Sequence, residues 1–259
     1  MEVSRPIVVP VGPEPRVDSD VIFRDLGDAV LKLDVYRSRE VGDYLRPGVV
    51  LVYGDTDADR LRGARGWGQF RSWGTLLANE GFAAVVADHR SRFTAGLQGA
   101  AEDVAAALSF VRNRGTGFGI DTDRVAVFGI SFGVPYQLWA VRNFGASIRG
   151  LVCYYGFMDL RGVENDLDEG PAEVAELSAL KQVEDGETFP SMLIVRAGKD
   201  FEALNASIDS FREAAGSVDQ ELEVISIDEG QHAFDVLDDT DASRDAIWRT
   251  VDFLRARLA

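Results

Sequence analysis

Cysteine is all but missing from this chain: Cys153 stands alone. A single thiol excludes an internal disulfide and a cysteine-built metal site. Its place in the apolar run Leu151-Val152-Cys153-Tyr154-Tyr155 makes it a small buried hydrophobe. Histidine is nearly as scarce, with only His89 and His232, and lysine occurs only at Lys32, Lys181 and Lys199. A base drawn from histidine therefore has two places to be. No apolar run approaches the ~18 residues that a membrane-spanning helix needs, and residues 1–16 lack the basic-then-apolar pattern of a secretion signal. The expectation is a cytoplasmic protein. There is no internal repeat, no low-complexity segment, and no cluster that calls for a metal or another cofactor.

Acid is abundant. With 43 Asp and Glu against 27 Lys and Arg, the formal net charge is −16. That argues against nucleic acid and against anionic membranes as partners. A GC-rich genome and a high-salt cytoplasm would each leave such a composition.

Length and a hydrophobic content of 46% suit one domain with a large core. A Pro-rich N-terminal arm is expected over residues 1–20, with the domain over 21–259. Val21–Arg24 and Val30–Tyr36 predict a lead-in hairpin; in the second strand Leu31, Leu33 and Val35 alternate with Lys32 and Asp34. The continuous apolar runs Gly48–Tyr53, Phe82–Ala87, Val125–Phe128, Ile148–Tyr155 and Met192–Ala197 read as strands buried on both faces, and Leu222–Ile227 as a last, alternating strand. Helices are marked by Phe70, Trp73 and Leu77, by Val104, Leu108 and Val111, by the run after Gly133, by Leu204, Ile208 and Phe211, and by Ile247, Val251 and Leu254. Strands and helices alternate, which predicts an α/β fold with a mostly parallel twisted sheet of about eight strands and helices on both faces. Residues 54–63 read as a surface loop.

Between the third of these runs, Val125–Phe128, and its helix lies Gly129-Ile130-Ser131-Phe132-Gly133. A G-x-S-x-G at a strand-to-helix turn exposes the serine hydroxyl beside a helix N-terminus, and Pro135 suits the helix's first turn. Functional groups of such sheets gather at the C-terminal strand ends. Ser131, Asp200 and His232 lie at three such ends in chain order. Asp159, after the preceding strand, is the reserve acid.

The chain resembles the α/β-hydrolase superfamily from about Val21 to Leu258. Val195-Arg196-Ala197-Gly198-Lys199-Asp200 and Gly230-Gln231-His232-Ala233-Phe234-Asp235 look like the acid and histidine motifs of dienelactone-hydrolase-like and carboxylesterase-like members. Dienelactone hydrolase carries a cysteine nucleophile where this chain has Ser131, which favours a serine esterase. The resemblance implies Ser131 as nucleophile, His232 as base and Asp200 as its orienting acid, acting through an acyl-enzyme. The N–H of Phe132 would be one oxyanion donor. Relatives carry His-Gly after the third strand; here Tyr53-Gly54 stands there, which makes Gly54 and Asp55 the second part of the oxyanion hole. Tyr53, Trp67 and His89 are candidate substrate contacts, while Asp88-His89-Arg90 also reads as structural pairing beside the site and Trp67 as a core aromatic at a helix start.

An insertion at about 157–189 falls where this fold places a cap. Residues 161–188 carry nine acids against two bases, which predicts repulsion of anionic substrates at the mouth and a preference for neutral or cationic esters. The expected partner is a small-molecule ester, with a homodimer as one assembly open to the chain. An amide or peptide hydrolase, an acyltransferase, and a non-catalytic ligand-binding protein on the same scaffold are the alternative functions.

Overall fold

The computed structural model of the chain describes residues 4–39, 44–144 and 148–259. Its strands are β1 (Arg16–Asp25), β2 (Val30–Arg37), β3 (Arg46–Val52), β4 (Ala83–Ala87), β5 (Ile120–Ile130), β6 (Ile148–Tyr154), β7 (Met192–Ala197) and β8 (Leu222–Ile227). The helices are α1 (Ala58–Leu61), α2 (Gly68–Asn79), α3 (Arg92–Arg114), α4 (Gly133–Phe144), α5 (Pro171–Glu176), α6 (Ala179–Glu184), α7 (Glu202–Ala215), α8 (Phe234–Leu237) and α9 (Asp241–Leu258). One eight-stranded sheet runs in the order β1-β2-β4-β3-β5-β6-β7-β8. β1 and β2 pair antiparallel, β2 meets β4 antiparallel, and every pairing from β4 to β8 is parallel.

Period-two alternation sorts the strand residues between two cores. Val50, Val52, Val125 and Val127 face the core shared with α3, α4 and α7. Val49, Leu51, Ala126 and Phe128 face the core shared with α2 and α9. Both faces are apolar, so these strands appear in the sequence as unbroken hydrophobic runs.

Several boundaries differ from the sequence expectation, each for a local reason. β1 starts at Arg16, inside the span assigned to the arm, because its charged residues find partners: Arg37 pairs with Asp18, and Lys32 lies 3.3 Å from Asp20. The preceding residues pack against the domain. Ile7 and Val9 are buried, the Ile7 N–H donates to Ser72 Oγ, and Asn79 donates to the carbonyls of Val11 and Pro13. β5 starts at Ile120 through a register shift, with Arg124 paired to Asp121 at 2.7 Å. The polar stretch 54–63 contains α1, where Asp57 caps the Arg60 N–H at 3.0 Å and Leu61 is buried. α3 extends back to Arg92 across a bend at Gly96.

The segment between β6 and β7 forms a short 3-10 stretch, α5 and α6. Val174, Leu177, Leu180 and Val183 are buried in the core that also holds α4 and α7. Residues 1–3 of the expected arm and the side chain of Asp166 lie outside the described residues.

Candidate active site

β5 ends and α4 begins within three residues. Ser131 sits at that turn with φ +55°, a left-handed value uncommon for a residue with a Cβ. Its N–H donates to the Tyr154 carbonyl at 2.9 Å, and its carbonyl accepts from the Val134 N–H at 3.0 Å. The flanking glycines are a spatial necessity. A Cβ on Gly133 would lie 2.4 Å from the Val52 carbonyl oxygen, and one on Gly129 would lie 2.7 Å from the Gln137 side chain. The elbow therefore holds only where α4 can press directly against the end of β3.

Asp200 follows β7 and His232 follows β8. Their loops are laced together by Gly198 N–H to Ile227 O and Lys199 N–H to Gly230 O, each 2.8 Å. His232 Nδ1 lies 2.7 Å from Asp200 Oδ2, and its Nε2 lies 3.0 Å from Ser131 Oγ. With the proton on Nδ1, the ring donates to the carboxylate and accepts from the serine hydroxyl. The Asp200 side chain is 1% exposed and that of His232 35% exposed. The acid is shielded while the base opens to the cleft. Asp159 is engaged elsewhere: Arg161 binds both its oxygens, at 2.9 and 3.0 Å. Burial pulls the Asp159 carboxyl up, but hydrogen bonds from Arg161 outweigh it and leave it below its ordinary value.

The cleft over Ser131 has a volume of about 700 Å³ and is lined by Gly54, Thr56, Trp67, Tyr155 and His232 among others. Gly54 lies so close that an added Cβ would sit 3.0 Å from Ser131 Cβ. Asp55 also lines the cleft, yet its carboxylate is taken up by neighbours. It accepts from Tyr136 Oη at 2.6 Å, Thr56 N–H at 2.7 Å and Arg92 N–H at 2.8 Å. Phe132 packs its ring near Tyr136 and Phe157 and leaves its backbone just ahead of α4, beside N–H groups that lack intrahelical acceptors. Trp67, half-buried, forms part of the wall and neighbours Phe70.

Tyr53 and His89 are not substrate contacts, and for His89 the structure fits the structural alternative. Tyr53 is 1% exposed and its hydroxyl donates to Asp88. His89 is buried, with Nδ1 2.9 Å from the Arg90 carbonyl and Nε2 3.0 Å from the Tyr53 carbonyl. Both belong to a buried polar layer in which Arg65 joins Asp88 and Asp34, and in which Arg90 grips the fully buried Asp103. Strand-end position suggested a site; the apolar and ionic packing around them made them interior. The acidic insertion is corrected too: among the described residues, none from 157–189 lines the cleft.

One cluster was not anticipated. Asp235, fully buried, accepts from Tyr155 Oη at 2.6 Å, Gln69 Nε2 at 2.9 Å and Trp73 Nε1 at 2.9 Å. Its backbone carbonyl accepts from the Val8 N–H. The network joins the N-terminal segment, α2 and the end of β6 to the histidine loop. The available signal was a lone acid between Phe234 and Val236. Among the described residues, no group of three or more His, Cys, Asp and Glu is arranged to hold a metal ion, and no helix is long and apolar enough to cross a membrane.

The BD-FAE family model, which describes a family of esterases and hydrolases, matches residues 33–139, less than half of the chain. No protein of curated function matches the sequence. Solved structures do match. Native esterase 2 of Thermogutta terrifontis superposes with a TM-score of 0.77 at 18% identity, over 99% of this chain and 97% of that one. A thermostable esterase from Pseudomonas putida ECU1011 gives 0.75 at 17% identity, over 98% and 86%. The Thermogutta terrifontis enzyme has also been solved phosphonylated by cyclosarin, at a TM-score of 0.75, 18% identity and 94% coverage of both chains. With the sheet order, the serine elbow and these superpositions in hand, the architecture is the α/β-hydrolase fold.

Proposed function

We propose that this chain is a serine hydrolase that cleaves carboxylic esters through an acyl-enzyme. The observation that carries the reading is His232 standing between Ser131 Oγ at 3.0 Å and Asp200 Oδ2 at 2.7 Å, at the floor of an open cleft. Ser131 Oγ attacks the acyl carbonyl as its proton passes to His232 Nε2. Asp200 keeps the ring in the right tautomer and stabilises the imidazolium. The tetrahedral oxyanion is received by the N–H of Phe132 and, from the loop after β3, that of Asp55, a donor pair of a kind worth roughly 10²–10³-fold per donor. The engagement of the Asp55 carboxylate by Tyr136, Thr56 and Arg92 supports this assignment, because it draws the negative charge away from the donor. His232 then protonates the departing alcohol, and water activated by the same base releases the acid.

The test is labelling with a fluorophosphonate probe, wild type beside Ser131→Ala, followed by a panel of p-nitrophenyl esters. Labelling and hydrolysis that vanish together in the variant are expected. A folded wild type that neither labels nor hydrolyses any ester would overturn the reading.

A further inference from the structure

The charge of the cleft is opposite to that of the chain. The whole sequence carries −16, but two arginines, Arg60 and Arg62, line the cleft that contains Ser131. Asp55 is the one carboxylate among the described lining residues, and it is saturated by the three donors named above. Asp200 stands behind His232, paired to it.

The two arginines are only loosely held. Arg60 Nε lies 3.5 Å from Asp57 Oδ2, and Arg62 Nη2 lies 3.5 Å from Asp59 Oδ1. Their side chains are 77% and 81% exposed. Exposed pairs of this length contribute little and exchange readily. Asp57 also has a second task, since its Oδ1 caps α1. Neither Asp57 nor Asp59 is a described lining residue. α1 and its C-terminal cap thus bring two arginines to the lining of the cleft, without their acidic partners. A guanidinium fork suits a carboxylate, and positive charge along a cleft raises the local concentration of an anionic ligand.

We infer that the ester substrate carries an anionic group, a carboxylate on its acyl or its alcohol part, that Arg60 and Arg62 receive. This deepens the ester-hydrolase reading and rests on it. It also reverses the preference for neutral or cationic esters that the acidic insertion suggested.

Two matched pairs test the inference. The p-nitrophenyl ester of hemisuccinate against that of methyl succinate places the charge on the acyl part. Para-carboxyphenyl acetate against its methyl ester places it on the alcohol. In at least one pair the anionic member should show kcat/KM about tenfold higher at low salt, an advantage that salt erodes. In Arg60→Gln/Arg62→Gln the ratio should fall to about one. Whichever pair responds identifies the part that bears the charge. A ratio of one or below in both pairs for wild type, or a preference retained by the double variant, would overturn the inference. A parallel arm needs no turnover: binding of the same esters to Ser131→Ala, followed by tryptophan fluorescence, with Trp67→Phe to identify the contribution of the tryptophan at the cleft. If wild type hydrolyses nothing, the hydrolase reading falls by itself, and equal binding of anionic and neutral esters in this arm sinks the charge inference independently.

Discussion

Tyr155 stands edge-on to His232, ring centroids 4.7 Å apart. Its hydroxyl points the other way, to Asp235 in α8, three residues after the histidine. One side chain therefore contacts the base of the candidate site and anchors the loop that carries it. Tyr155 itself takes φ +33° at the end of β6, so the contact is made at some backbone cost.

Tyr155→Phe keeps the ring and removes the donor. Asp235 would then be left with Gln69 and Trp73 in a site without solvent. Losing one hydrogen bond to a buried carboxylate costs about 1–3 kcal/mol. Urea unfolding should show a lower midpoint at an unchanged slope. A variant as stable as wild type would mean that Asp235 does not depend on this bond.

Burial pushes the Asp235 carboxyl above its ordinary value, although Gln69, Tyr155 and Trp73 donate to it and pull the other way. The native state then holds a proton there more tightly than the unfolded chain. Above the ordinary value of 3.8 and up to the raised native one, folding takes up protons, so stability falls as pH rises. Asp235→Asn has no such ionisation. The stability of wild type minus that of the variant should therefore shrink as pH is raised through this window, by urea unfolding at a series of pH values. A difference that grows with pH would show that the three donors outweigh burial.

Asp200 and Asp159 were both open as the acid when only strand ends could be counted, and geometry separates them. Asp200→Asn leaves the shape in place but favours the wrong imidazole tautomer. A loss of about 10⁴-fold in kcat is expected by analogy with the serine protease triad. Asp159→Asn should disturb the Arg161 pairing and leave the pH profile of ester hydrolysis in place. Steady-state rates with one p-nitrophenyl ester decide between them; equal losses would count against Asp200 as the orienting acid.

The strands were legible because both sheet faces are apolar, which leaves runs such as Val49–Val52 with no competing pattern. The order of Ser131, Asp200 and His232 was legible because such strand ends converge at one edge of the sheet. Exposure was not legible. Tyr53 and His89 sit at strand ends like the candidate triad residues, and only the apolar and ionic packing around them explains why they are enclosed. The charge of the cleft was hidden for a related reason. Composition assigns acid to segment 157–189, whereas the short helix after Gly54 brings Arg60 and Arg62 to the mouth.

The elbow makes a last prediction that involves no catalytic group. Gly133 lies against the carbonyl oxygens of Val52 and Tyr53, which a Cβ would meet at 2.4 and 2.6 Å. Both are backbone atoms at the end of a central strand and cannot turn aside as a side chain could. Gly133→Ala must therefore move α4 away from β3 or unwind its first turn, and Ser131 sits two residues ahead of that turn. Overpacking of this kind costs about 1–3 kcal/mol, and the same shift should slow probe labelling of Ser131 in protein that remains folded by circular dichroism. Gly117 supplies the control: nothing lies within 4 Å of a Cβ built there, so Gly117→Ala should match wild type in both assays. If Gly133→Ala labels as fast as Gly117→Ala, the tight seat of α4 on β3 is not what sets the serine's position.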